Sequence, residues 1–494
     1  MAVNDISALI ELYVDNVQTM QKLAFLGLVK GNPIHAFRAL QKRKNSLRHV
    51  HQINHKWDRV NRDGLDDLLQ HELGLVDHQR KLFTNISPSL QKEHAKEVVY
   101  ASVARVLFNA MPLKYKNYAQ PMLDKQLGSL ITVQQEIAHN RFKTGYFATP
   151  YESLIQEYNP HLTEEKTNHY IQVVRDLADD VLELRAGQAT PCESAPNFDE
   201  TLSDKQKMTV MQDMRDWFGL PKDYVRIYQA SAPAAIGCAQ AGLLAHDFSG
   251  TNLAVFLQDG MHEYGHILYK YNLPKKLRNR VSGQILGTGH DEAQAYFLEN
   301  HVLEEPATQQ FICDYLVKKH GLSADKWNEG NLYQYDRHYN FQMKRLESCD
   351  LGNLIHIGIL TDVEKDLINS GADGTRYSAM WRQSLAPYQD QSVGRYEYAL
   401  NIYPFAGLFG NYPSYFEGAF GAAQLYEAGL AQNPQWKDEW RRGEFRNTIG
   451  WLAEHAQKPA ATKSIDELYK GATGDIINPQ AFLTYYRGKY CVSS

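Results

Sequence analysis

Residues 262–266 read His-Glu-Tyr-Gly-His. On a helix, positions four apart share a face, so His262 and His266 can each offer a ring nitrogen to one ion. Glu263 is displaced around the helix and can reach a water beside that ion without being a ligand itself. The flanks suit a helix: Ala254-Val-Phe-Leu-Gln258 leads in, Ile267-Leu-Tyr-Lys-Tyr271 leads out, and Pro274 stops it. Downstream, Gly287-Thr-Gly-His-Asp-Glu-Ala-Gln-Ala-Tyr-Phe-Leu-Glu-Asn300 is a glycine break followed by a helical pattern. A return helix there would bring up a third ligand. Glu292, His290, Asp291 and Glu299 all qualify, and spacing alone does not separate them. Two histidines and a carboxylate leave a fourth position for water, which is the arrangement of a catalytic zinc; a structural zinc more usually recruits cysteine, and none is near.

These residues need a scaffold, and the pattern of the chain says it is helical. Apolar residues recur every three or four positions over residues 6–28, 90–107 and 170–184, while alternating runs are short, so the expected fold class is mostly α. Ser203-Asp-Lys-Gln206 resembles a capping box opening a helix that stops at Gly219, and Ser464 with Glu467 starts another. Residues 186–200 are less regular and mark an internal boundary. The basic run at 37–52 reads as a solvated helix face, and His51 and His55 as surface or packing residues. The 494 residues carry 52 Lys+Arg against 57 Asp+Glu, a net charge of −5, which argues against nucleic acid or an anionic membrane as partner. With 43% hydrophobic and 22% charged residues the chain is globular. Its five cysteines form no CxxC pair, and Asp5 and Glu11 with no basic leader argue against a signal peptide. A cytoplasmic location is expected.

HEYGH followed by GHDEAQAYFLEN resembles the HExxH and HES-Q…WEN motifs of metallopeptidase family 32, the thermostable zinc carboxypeptidases. The similarity continues in Pro150-Tyr-Glu-Ser-Leu-Ile-Gln-Glu-Tyr158, like the family's PYDALLDEY, and in Leu408-Phe-Gly-Asn-Tyr-Pro-Ser-Tyr415, like its LFGYFPTY. Ala422-Ala-Gln-Leu-Tyr-Glu-Ala428 and the ending Ala472-Thr-Gly-Asp475 with Phe482-Leu-Thr-Tyr-Tyr486 match too. Alignment back from Glu299-Asn300 puts the family's third ligand on Glu292. Other motifs are lost. HPF falls on Ala232-Pro233-Ala234, DxRxT has no counterpart, and the His of HES is Asp291. QDxHW falls on Leu400-Asn-Ile-Tyr-Pro404, and of IRxxAD the segment Lys344-Arg-Leu-Glu-Ser-Cys349 keeps Arg345.

The resemblance implies a two-lobed helical zinc-peptidase fold with a deep central cleft. It would form a single domain over 1–494, with an N-terminal helical lobe at 1–190 and a zinc-site lobe at 200–494. It implies a metallocarboxypeptidase-like hydrolase with one Zn2+ per chain, other divalent ions being alternatives, held by His262, His266 and Glu292. Glu263 would be the general base, Tyr412 or Tyr415 the oxyanion donor, and Arg345 the anchor for a substrate's terminal carboxylate. The partner would be a peptide or small amide, with no nucleic acid and no membrane, and the family's habit implies a homodimer. Two alternatives stand beside this: a zinc hydrolase of a dedicated small amide or modified peptide, and a metal-retaining binding protein without catalysis.

Overall fold

A computed structural model describes residues 67–83, 85–186, 201–230, 233–237, 241–250, 252–278, 286–335, 350–386 and 397–490. The apolar stripe at 6–28, the basic run at 37–52 with His51 and His55, most of the 186–200 boundary, Ala232 and Arg345 lie outside the described residues. Helix dominates, as the periodicity predicts, with a single three-stranded sheet among the described residues. No described helix is long and apolar enough to cross a membrane. The chain divides into two units.

One unit comprises Asp77–Asp179 and the described part of Asn340–Phe416. Its long helix Leu113–Phe142 buries Leu123, Leu127, Leu130 and Ile131. The Pro150–Tyr158 helix is capped by Thr149, whose hydroxyl accepts the Glu152 N–H at 3.0 Å, and it buries Tyr151, Leu154 and Ile155. Glu364, on the helix Asp350–Ser370, is fully buried. It accepts the Tyr151 hydroxyl at 3.0 Å and the Gly410 N–H at 2.9 Å. Gly410 has φ 84°, and a Cβ there would lie 2.5 Å from the Leu154 carbonyl carbon. Only glycine lets the LFGNYPSY turn lie so close to that helix.

The other unit takes in Asp180–Tyr339, Glu417–Ser494 and the described residues of Met1–Val76. Its sheet runs β1 (Val225–Ala230), β2 (Ala234–Gly237) and β3 (Gly242–Asp247), with β3 central, parallel to β1 and antiparallel to β2. The weak strand signal in the sequence has a physical cause. β3 is buried along nearly its whole length, so its GLLAHD run carries no in-out alternation, and β2 has only four residues.

The helix that carries the HEYGH residues, α1 (Leu253–Asn272), is capped by Asn252, whose side chain accepts the Ala254 and Val255 N–H groups. It ends two residues before Pro274. Three neighbours fix it. β3 packs on it where a Cβ on Gly242 would meet Ile267 at 2.9 Å. The helix Asp204–Trp217 approaches at Gly260, which leaves room for the Met211 and Met214 sulfurs, and the Tyr264 hydroxyl donates to the Met211 carbonyl. That helix opens on the Ser203–Gln206 capping box, and Gly219 follows it at φ 70°. The third neighbour is α2 (Thr288–Tyr296), continued by the π-helical turn Phe297–Val302. The helix α3 (Pro413–Gln432) lies behind α2, where a Cβ on Gly418 would fall 2.6 Å from the Glu292 Cβ.

Candidate metal centre

At Gly265 the backbones of α1 and α2 lie close together. A Cβ there would lie 2.5 Å from the Ala295 Cα and 2.5 Å from the Gln294 carbonyl oxygen. The two backbones touch, and the side chains on either side of the contact are drawn together. Pairings run in opposite directions along the two helices: His266 meets Asp291 and Glu292, and His262 meets Glu292 and Glu299. The helices are therefore antiparallel at the site. On α2 and its continuation, Glu292, Tyr296 and Glu299 follow i, i+4, i+7 spacing and share the face turned to α1. The Tyr296 ring stands edge-on to His262 at 5.6 Å.

Among the described residues, His262, His266 and Glu292 form the cluster able to hold a metal ion. The two Nε2 atoms lie 3.2 Å apart, and Glu292 Oε2 lies 3.6 Å from that of His262 and 3.9 Å from that of His266. Two ligand atoms on a tetrahedral zinc, each about 2.0–2.1 Å from it, are about 3.4 Å apart, so this triangle has the right size. Glu292 Oε2 is also buried with no hydrogen-bond donor, an acceptor the protein itself leaves unsatisfied. The donor set and its spacing fit a zinc-sized divalent ion.

The electrostatics favour a cation at the same point. Burial alone would push His262 down, but its hydrogen bond to Glu299 and the charges of Glu299, Glu292 and Glu263 outweigh that and raise it to about 10. His266 is likewise raised against burial by Asp291 and Glu292. Two imidazolium rings cannot comfortably face each other at 3.2 Å, whereas one dication between them satisfies both nitrogens and Glu292. Burial lifts Glu263 to about 7 against the pull of His262 and His266. That brings the carboxyl into the range where proton exchange near neutral pH is efficient.

Of the other downstream candidates for third ligand, His290 points away. Its ring is buried between the Tyr469 hydroxyl and the Ala456 carbonyl, and burial lowers it to about 4. Asp291 and Glu299 reach the outer, Nδ1 side of the histidines instead, at 3.3 and 2.8 Å. Sequence reasoning missed three contributors: Gly265, Lys270 and Asp259. Lys270, one turn beyond His266, stands 3.9 Å from Asp291 Oδ2. Asp259, one turn before His262, is raised to about 7 by burial and by the charge of Glu299. Helical spacing from the HEYGH residues would have found both side chains, and the glycine inside HEYGH was the signal for a backbone contact. Tyr412 and Tyr415 belong to the unit that holds Glu364. The Tyr412 hydroxyl is buried and accepts from Asn401, and the Tyr415 hydroxyl meets that of Tyr403.

A triangle able to hold a metal ion on a helical scaffold points to a metallopeptidase class. Residues 38–490 match the family model for the carboxypeptidase Taq (M32) metallopeptidases, and the chain belongs to that family. It is 23% identical to "Carboxypeptidase 1" of Bacillus subtilis over 442 residues, which cover 86% of this chain and 84% of the relative. Among solved structures it superposes on "Trypanosoma Cruzi Metallocarboxypeptidase 1" with a TM-score of 0.85, at 16% identity over 99% of both chains. The Pyrococcus furiosus carboxypeptidase structure gives 0.85 at 17% identity, covering 99% of this chain and 98% of that one. The chain is thus a metallopeptidase with the fold of this family.

Proposed function

We propose that the protein is a zinc-dependent metallocarboxypeptidase that hydrolyses a peptide or amide bond near a free C-terminus, on a narrower substrate class than its relatives. The observation that carries this reading is the His262–His266–Glu292 triangle with buried Glu263 on the next helical position. These three side chains would hold the ion, which when bound polarises a carbonyl and acidifies water. Glu263 takes the proton of the attacking water and returns it to the leaving nitrogen. Burial raises its carboxyl above the ordinary carboxylate range against the pull of the two histidines. The family resemblance gives the role of oxyanion donor to Tyr412 or Tyr415 and that of carboxylate anchor to Arg345, and we propose both roles. A homodimer and a cytoplasmic location complete the reading.

The restriction to a narrow class follows from the lost motifs. In the segment aligned with QDxHW, Leu400 is an exposed apolar residue where that motif carries glutamine, and Asn401 and Tyr403 stand where it carries aspartate and histidine. A dedicated small amide or modified peptide is the second reading favoured by that change. Glu263→Gln tests the core of the proposal. The variant keeps zinc and fold and loses most turnover, because only the proton acceptor is removed. Near wild-type hydrolysis by the variant would refute the mechanism, and loss of the metal would make Glu263 a ligand instead.

A further inference from the structure

We infer that Asp291 is a positioning residue for the metal centre: it holds His266 through Nδ1, and Lys270 anchors it from the other side. The inference rests on the zinc reading above. The two histidines are treated differently by their surroundings. His262 Nδ1 is hydrogen-bonded to Glu299 Oε2 at 2.8 Å, while His266 Nδ1 and Asp291 Oδ1, both buried and without a hydrogen-bond partner, face each other as an ion pair at 3.3 Å, and Asp291 Oδ2 lies 3.9 Å from Lys270 Nζ. Both rings thus present Nδ1 to a carboxylate and Nε2 to Glu292. A proton on Nδ1 donated outward leaves the Nε2 lone pair free to ligate, and the carboxylate makes that nitrogen a stronger donor.

The placement of Asp291 makes it suited to this role and unsuited to ligation. It precedes Glu292 by one residue on the first turn of α2, so its side chain points about 100° around the helix from the ligand face. It therefore flanks the triangle and reaches the far edge of the His266 ring. Lys270 is four residues after His266 and projects from the same face of α1, so a single helical turn carries both the ligand and the counter-charge of its supporter. The cation at 3.9 Å offsets the charge of the carboxylate and keeps it beside the ring. In the motif that this segment resembles the position is histidine. The carboxylate, with Lys270 behind it, is a feature of this chain.

The test is zinc affinity of the full chain, measured by competition with a chromophoric chelator, with circular dichroism and the melting temperature of the metal-free protein as controls for folding. Asp291→Ala removes the acceptor and should weaken zinc binding about 10–100-fold. Asp291→Asn keeps an acceptor oxygen without the charge and should fall between that variant and wild type. Lys270→Met should weaken binding in the same direction by less. A purely structural role would lower the melting temperature of the metal-free variants and leave this graded order of affinities absent. Wild-type zinc affinity in folded Asp291→Ala overturns the inference, and unchanged affinity in Lys270→Met overturns the anchoring by Lys270. Failure of the wild-type chain to bind zinc instead overturns the zinc reading on which both stand.

Discussion

Replacing Gly265 with alanine should damage the metal centre without touching any ligand. The added Cβ would sit 2.5 Å from the Ala295 Cα, 2.5 Å from the Gln294 carbonyl oxygen and 2.7 Å from the Ala295 nitrogen. All three are backbone atoms, so no rotamer change relieves the clash. Ordinary contact needs about 3.5–4.0 Å between such atoms, so α1 and α2 must part by roughly 1 Å. Overpacking of this kind costs about 1–3 kcal/mol. Glu292 stands one helical turn from the contact and moves with α2, whereas a ligand tolerates only about 0.2 Å of misplacement. Zinc affinity should therefore fall about tenfold for each 1.4 kcal/mol needed to press the parted helices back to the ligating geometry. Gly450→Ala is the matched control. Gly450 lies in the helix Arg446–Leu452 with nothing within 4 Å of an added Cβ, and alanine there should stabilise by about 0.5–1 kcal/mol. Chelator competition and denaturant unfolding of both variants decide the matter. Wild-type zinc affinity and stability in Gly265→Ala would refute the claim that backbone contact sets the site.

Three further outcomes are expected. Metal analysis should find about one divalent ion per chain and a clear loss of it in His262→Ala, whereas full occupancy in that variant would remove His262 from the ligand set. On a panel of free-acid and amidated peptides, turnover should be weak or confined to a narrow class and should vanish with chelator; efficient, sequence-tolerant trimming would show that other residues rebuild the lost grip. Burial raises the Glu364 carboxyl to about 8 from an ordinary 4.5, so the proton it carries stabilises its unit fully below about pH 4.5, and that contribution is lost as pH rises through 8. Unfolding free energy should accordingly decline with pH across that window, by on the order of 1 kcal/mol per unit at most, and Glu364→Gln should flatten the slope. An unchanged slope in that variant would place the titration elsewhere.

The HEYGH spacing was enough to bring the two rings together, because helix geometry alone puts positions 262 and 266 on one face. It did not single out the carboxylate that joins them. His290, Asp291, Glu292 and Glu299 lie within one short run, and only the rotation of α2 separates them. That rotation is set by the Gly265–Ala295 contact, so Glu292 faces inward, Asp291 flanks it and His290 turns into the core. The family motif pointed to Glu292, the carboxylate that the fold sets beside both rings. The capping boxes at Ser203 and Ser464 were readable because they are local. β3 was not, since a strand covered on both faces reads like any apolar run. The partition into units was equally hidden: each is assembled from separate stretches of chain, and no composition shift announces where the chain leaves one and returns.

The contact between α3 and α2 bears on the order of assembly during synthesis. Gly418 presses against the Cβ of Glu292, and Gly289 leaves room for the Glu417 carboxylate, so the wall behind Glu292 comes from residues well over a hundred positions later in the chain. A growing polypeptide would carry both histidines and the carboxylate long before that wall leaves the ribosome. Closing so long a loop is slow, because its entropy is lost before the contact forms. Nascent chains ending near residue 340 should hold metal loosely, and firm ligation should arrive only with α3, as one of the last events of folding.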